Sequence, residues 1–324
     1  MSNEPEKMPD SLDEKIEQTS LDAIPPVPTK ENVATNMKVR TLADMNIKVP
    51  EQSDGPVTMP DGFDEKIEQI SLDAIHLLPT KENVFTKAGG QPLASRSFEW
   101  PKWKGKSLAF LMQIKLSEMD LLSRMAHFPQ NGLLYVFYDQ EQSTWGYDPN
   151  DKGSWKIIFE PEHDDLVVVP YPEDIDHIYK YREKKLGQKL IKTYPSGSDE
   201  RIDAFQFTHE QSNWYFDVFY DSAYQSKYHH QIGGYAYEVQ CQAMDLECQL
   251  VSNGIFCGDA NYLNDPRTKE LEKHRSDWML LLQIDSDDDV DFIWGDIGLL
   301  YFWIKKDDLE KLNFEDVWMI LQCL

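Results

Sequence analysis

The stretch Trp278-Met-Leu-Leu-Leu-Gln-Ile-Asp-Ser-Asp-Asp-Asp-Val-Asp-Phe-Ile-Trp-Gly-Asp-Ile-Gly-Leu-Leu-Tyr-Phe-Trp-Ile304 decides how this chain folds. Its two apolar runs, 279–284 and 298–304, are mainly aliphatic and aromatic and have the length of fully buried strands rather than helices. Between them stand Asp285, Asp287, Asp288, Asp289, Asp291 and Asp296, which cannot be buried unpaired and so must face water, a cation or a basic partner. The loop is therefore the candidate site, with Asp285, Asp287, Trp294, Asp296 and His230 as its binding residues.

An echo of this stretch lies in the first half. Leu108-Ala-Phe-Leu-Met-Gln-Ile114 ends as Met279-Leu-Leu-Leu-Gln-Ile284 does, and Asn131-Gly-Leu-Leu-Tyr-Val-Phe137 parallels Ile297-Gly-Leu-Leu-Tyr-Phe-Trp303. Two matched pieces in the same order point to an internal duplication. The expected fold is α+β: two similar sheet motifs packed around a shared core, with short peripheral helices. Further strands are expected at 155–159, 166–169 and 317–323. Helices are expected at 117–126, at 173–192 as a solvated amphipathic segment, at 265–275 behind Asp265-Pro266, and at 305–312. The aromatic run 214–220 fits either a strand or a buried helix.

With 57 acidic against 32 basic residues, the chain carries a formal charge of −25. That charge repels nucleic acid and anionic membrane and favours a basic protein partner or cations. Asp296 interrupts the longest apolar stretch, and the N-terminus lacks the basic and apolar regions of a signal peptide, so a cytoplasmic protein is expected. Cys241, Cys248, Cys257 and Cys323 form no Cys-x-x-Cys pair and read as reduced thiols.

A second, younger repeat occupies the N-terminus. Met8-Pro-Asp-Ser-Leu-Asp-Glu-Lys-Ile-Glu-Gln-Thr-Ser-Leu-Asp-Ala-Ile24 recurs as Met59-Pro-Asp-Gly-Phe-Asp-Glu-Lys-Ile-Glu-Gln-Ile-Ser-Leu-Asp-Ala-Ile75. The later copy carries Phe63, Ile67, Ile70, Ala74, Ile75 and Leu78 at helical spacing, with Asp61 as N-cap. The earlier copy has Pro25 and Pro26 where the later has His76 and Leu77. Residues 1–58 therefore read as a disordered tail containing a partial duplicate of 59–86, and 59–324 as the folded domain.

Spaced motifs through the body resemble the YwqG-like family of bacterial cytoplasmic proteins of unknown function. They are Gly89-Gly-Gln-Pro92, Trp100-Pro101, Leu111-Met-Gln-Ile114, Gly132-Leu-Leu-Tyr135, His230-Gln-Ile-Gly-Gly234, Leu246-Glu-Cys-Gln-Leu250, Leu281-Leu-Gln-Ile-Asp-Ser-Asp287, Trp294-Gly-Asp-Ile-Gly298 and Leu300-Tyr-Phe-Trp-Ile304. Gly234-Tyr-Ala-Tyr237 departs from the Gly-Tyr-Pro turn common in relatives. The resemblance implies an α+β fold with two related halves and no established reaction. It also hints at toxin and immunity partners.

Two chemistries compete with simple binding. Asp285, Asp287, Asp289 and Asp296 match positions 1, 3, 5 and 12 of a calcium loop, with Asp291 at position 7, which would make a divalent cation the cofactor. Against this, Val290 replaces the turn glycine, Asp296 is shorter than the usual glutamate, and the flanks are strands. Cys257, with His229 or His230 as base and Asp259 as orienter, would make a thiol nucleophile. His230 is otherwise a buried histidine bonded to a backbone carbonyl or to Asp296. Binding is the favoured expectation: an acidic interaction protein that engages a basic protein, such as a toxin it neutralises. The alternative is a metal- or cysteine-dependent small enzyme with its site between the two halves.

Overall fold

The computed structural model describes residues 58–196, 199–220, 226–240 and 243–324. The N-terminal repeat copy, the rest of the expected tail and Cys241 lie outside them. In chain order the strands are β1 (Leu72–Pro79), β2 (Lys87–Ala88), β3 (Leu93–Ala94), β4 (Lys102–Trp103), β5 (Lys106–Ser107), β6 (Ala109–Lys115) and β7 (Leu133–Tyr138). There follow β8 (Trp155–Glu160), β9 (Val167–Val168), β10 (Lys184–Thr193), β11 (Gln231–Ile232), β12 (Trp278–Asp285), β13 (Leu299–Lys305) and β14 (Trp318–Gln322). Apart from the ribbons β3-β9 and β4-β5, these strands form one ten-stranded sheet in the order β14-β13-β12-β11-β1-β10-β2-β6-β7-β8. Every pairing in it is antiparallel.

The apolar runs become strands covered on both faces. In β6 and β7 the residues Ile114, Leu134 and Val136 enter the main core, while Phe110, Tyr135 and Phe137 face a separate cluster under Phe98 and Trp100. Double coverage explains why these strands lack apolar-polar alternation. The sheet curls until its edge strands nearly meet. Trp155 of β8 donates its Nε1–H to the Val317 carbonyl at 2.9 Å, and its ring packs edge-on to Trp318 of β14 at 5.1 Å.

The two hairpins share more than composition. Gln113 pairs with Tyr135 and Gln283 with Tyr301, and each hairpin has one irregularity, at Phe110/Met112 and at Leu280/Leu282. Each glutamine side chain is buried and makes the same pair of backbone contacts. Gln113 donates to the Phe85 carbonyl at 2.8 Å and accepts from Leu93 N–H at 2.9 Å; Gln283 donates to the His229 carbonyl at 2.8 Å and accepts from Tyr237 N–H at 2.9 Å. The facing tyrosines close the arrangement, Tyr135 Oη donating to the Leu93 carbonyl and Tyr301 Oη to the Tyr237 carbonyl.

Several expectations change. The helix expected over 117–126 is instead two 3₁₀ turns, Leu116–Glu118 and Asp120–Arg124, and the one expected behind Asp265-Pro266 begins only at Thr268, a single α-helical turn to Leu271 continued by the 3₁₀ segment Glu272–Asp277. The stripe from Phe63 to Leu78 is not one helix: the α-helix Phe63–Ile70 ends at Ser71, whose extended ψ of 151° turns the chain into β1. Its N-cap is Gly62, not Asp61, at φ 72° and without a side-chain cap bond. Phe63 and Ile67 dock it among Phe205, Phe207, Trp214 and Phe219. The expected amphipathic helix over 173–192 is instead a 3₁₀ turn, His177–Tyr179, followed by β10. The apolar residues that mimicked a helical stripe are buried in different settings, Leu186 within a strand and Ile175 before the turn. The run 214–220 is helical. A capping box from Thr208 and Gln211 starts His209–Trp214, which continues as the π-helical turn Tyr215–Tyr220.

Because Gln283 satisfies two backbone groups in the interior, Gln283→Met keeps the volume but strands a carbonyl and an N–H, at about 1–3 kcal/mol each. Urea unfolding is expected to show a loss of roughly 2 kcal/mol or more for Gln283→Met and a similar loss for Gln113→Met. Unchanged midpoints would show the clamps to be dispensable.

Candidate functional site

β12 ends at Asp285, and a bridge between Asp287 and Phe292 closes the tight acidic turn beyond it. Asp287 is fully buried, and Lys184 reaches it from β10. The Lys184 ammonium lies 2.6 Å from Asp287 Oδ2 and 2.9 Å from Asp289 Oδ2, 4.4 Å above the Tyr228 ring. His230 completes the cluster. Its Nδ1 accepts the Asp285 backbone N–H at 3.1 Å, which leaves the proton on Nε2 to be donated to Asp287 Oδ2 at 3.1 Å. Asp285 Oδ2 is occupied by His229, taking its backbone N–H at 2.8 Å and facing its Nδ1 at 3.1 Å. On the rim, Arg182 grips Asp291 with two N–H groups at 2.7 and 2.8 Å and also donates to the Asp288 carbonyl.

The structure therefore brings together Asp285, Asp287, Asp289 and His230, but it gives His230 the partner Asp287 and not Asp296. Trp294 is fully buried against Phe292, Tyr138 and Tyr181, with ring centroids at 4.9, 6.2 and 6.1 Å, so it is a core residue rather than a binding surface. Asp296 is exposed on the following turn, where its carbonyl accepts Leu324 N–H. The calcium-loop ligands do not converge. Lys184 occupies the place of the cation between Asp287 and Asp289, and among the described residues no group of three or more His, Cys, Asp or Glu is arranged to hold a metal ion.

Burial alone would push the Asp287 carboxyl up. The hydrogen bonds from His230 and Lys184 outweigh it and hold the group down to about 2. A depressed carboxylate stabilises the fold above its unfolded value of 3.8 and ceases to do so as pH falls toward 2. Lys184→Met would leave the buried charge uncompensated, with an expected loss of about 3–5 kcal/mol at pH 7 that shrinks as the pH is lowered to 2–3. Thermal unfolding at both pH values measures it, and an equal loss at both would contradict the pairing.

The thiol constellation does not assemble. Cys257 is buried with Sγ near the Ile255 and Glu247 carbonyls, and burial pushes it up to about 12, so it stays protonated at neutral pH. His229 and His230 are engaged with Asp285 and Asp287, and Asp259 caps a 3₁₀ turn by accepting Asn261 N–H at 2.8 Å.

A second site has no motif in the sequence. A cleft of about 650 Å³ opens at the start of β1 and β12 and the end of β10, beside the segment 124–128. Trp278, Met279, Leu280 and Trp303 form its apolar wall. Its polar wall holds two bidentate pairs, Arg201 on Asp199 and Arg275 on Asp245, with Glu238 between their segments. Burial, then Asp245 and Asp199, raise the Glu238 carboxyl to about 7. Among the described residues several buried polar atoms lack a hydrogen-bond partner, and Asp73 Oδ1, Glu238 Oε2 and Trp303 Nε1 are those in the lining of this cleft, the first of them ion-paired with Lys192. In the other half of the sheet, the place matching Trp303 is held by Phe137, which Trp100 covers at 5.4 Å while donating to the Leu108 carbonyl. Only Glu238, directly after the divergent turn 234–237, could have hinted at this cleft in the sequence.

Residues 86–323 match the model of a family described as a domain of unknown function, DUF1963. The chain belongs to this family. No curated protein matches it. The DUF1963 match begins after β1, yet β1 lies in the middle of the sheet, between β10 and β11.

Proposed function

We propose that this DUF1963 protein is a binding protein whose ligand occupies the cleft beside Trp278 and Trp303. The observation that carries this is the contrast between the halves: Trp100 seals Phe137 completely, whereas Trp303, though mostly buried, borders the cleft. A pocket of several hundred Å³ with apolar walls and a few convergent polar groups is the usual form of a ligand site. A raised carboxyl in such a pocket adds support. Binding is favoured over catalysis because the thiol of Cys257 is held protonated and the carboxylates of Asp285, Asp287, Asp289 and Asp291 are engaged by His229, Lys184 and Arg182. The test uses fractions of a metabolite extract added to the wild type and to Ser276→Trp, which crowds the cleft. One fraction is expected to stabilise the wild type, by about 2.7 kcal/mol at a hundredfold excess over Kd, and to leave Ser276→Trp unmoved. Stabilisation by no fraction, or of both proteins equally, overturns the reading.

Three finer readings accompany this one. Descent of the two halves from one duplicated unit is supported by the matched registers, irregularities and glutamine clamps. Kinship with the YwqG-like proteins is supported by the motif series, and a cytoplasmic setting by the free, buried Cys248, Cys257 and Cys323. A basic protein partner, such as a toxin to be neutralised, is supported by the charge of −25 and by exposed Asp288, Asp289 and Asp296, the last beside half-exposed Ile297. A complex on that surface is expected to weaken in Asp288→Asn/Asp296→Asn and to dissociate near 1 M salt, where the screening length is ~3 Å. A complex indifferent to both would exclude it.

A further inference from the structure

The cleft is electrically divided. On one wall, Asp199, Glu238 and Asp245 face the two guanidinium groups of Arg201 and Arg275, leaving an acid in excess. On the other, the segment 124–128 and the helix Lys306–Glu310 are tied together through His127 and Glu310, and the titratable residues they contribute to the lining are Arg124, His127 and Lys306, while Asp307, Asp308 and Glu310 lie outside it. Arg124 reaches Asp73 only at 3.9 Å, and Asp73 already receives Lys192 at 3.1 Å. Lys306 donates to the Ser276 carbonyl at 2.6 Å and, among the described residues, pairs with no carboxylate. Between these walls lies the apolar surface of Trp278 and Trp303. In a chain with so large an acidic excess, two bases without a close carboxylate partner opposite a half-buried acid are a specific arrangement.

We propose that the cleft binds a zwitterion of the amino-acid or short-peptide class, its ammonium directed to Glu238 and its carboxylate to Arg124 and Lys306. This rests on the cleft being the ligand site. An ammonium would supply donors to a carboxyl that the fold leaves with one oxygen unpartnered. The carboxylate would complete the pairing of the opposite bases, and apolar side chains would lie on the two indoles. A simple anion would satisfy only one wall, and a polycation would be repelled by the other.

The experiment follows the indole N–H resonance of Trp303 in the full-length chain, assigned by its loss in Trp303→Phe. The probes are a pool of unblocked tripeptides, the same pool N-acetylated, and the same pool C-amidated. The unblocked pool is expected to shift the signal saturably, and each blocked pool to bind about tenfold or more weaker, the scale of one charge-assisted hydrogen bond. Glu238→Gln should abolish the difference between the unblocked and acetylated pools, and Lys306→Met that between the unblocked and amidated pools. Three pools binding alike would overturn the proposal. If inorganic phosphate or a neutral indole shifts the signal and the unblocked pool does not, the zwitterion is excluded while the cleft remains a ligand site. A signal that moves with none of these probes removes both.

Discussion

A buried amide that must fill all its hydrogen bonds sets the plan of this molecule. Gln113 and Gln283 each lie in a strand with no access to water, and each spends its side chain on a backbone carbonyl and a backbone N–H of a neighbouring segment. A glutamine in such a place is tolerated only where both partners are delivered. Segments 85–93 and 229–237 deliver them, and in doing so take fixed paths at the edge of each hairpin. The cleft depends on that path, because Tyr235 and Ala236 lie within the clamped segment and Glu238 follows directly from it. Gly234 is part of the same constraint: at φ 72°, a Cβ there would sit 2.6 Å from Thr193 Oγ1.

The acidic turn shows how a strongly charged chain keeps its buried charges. Asp287 loses its water but gains Lys184, His230 and the Asp289 N–H, so its cluster is satisfied from within. Such clusters fix register more surely than they add stability. Here the cluster ties the turn after β12 to β10, across the middle of the sheet. Glu238 and Glu247 are opposite cases. Burial raises them, to about 7 and about 8, and their contribution to stability declines as pH climbs from 4.5 through those values.

How much was legible in the sequence follows from burial. β6, β7, β12, β13 and β14 are covered on both faces, and continuous apolar runs announce them. β1 and β10, the central pair, were hidden. β10 carries four lysines divided between its two faces and is half-buried at most positions, and β1 borrows a helical spacing from the helix before it. The acidic loop was legible as a cluster, but only Asp287 and Asp289 come together in it, on a lysine too distant in sequence to be paired with them by pattern. Trp294 read as a binding indole because a Trp-Gly-Asp turn looks exposed. Its ring instead enters the core through the turn at Gly295. The cleft draws on segments scattered from Ser71 to Lys306, and no spacing records it.

The centre of the sheet has a further consequence for the N-terminal repeat. The segment that supplies β1 has a near-copy earlier in the chain, a situation that ordinarily invites one copy to replace the other, within a molecule or between two. The ladder discriminates between them. Leu77 donates its N–H to the His230 carbonyl, and the copy has Pro26 at that place, preceded by Pro25 where β1 has His76. Neither proline has a proton to give, and a central strand admits no such gap. Two substitutions thus make the copy an incompetent substitute, so the chain keeps a duplicate of its innermost strand without the hazard of strand exchange.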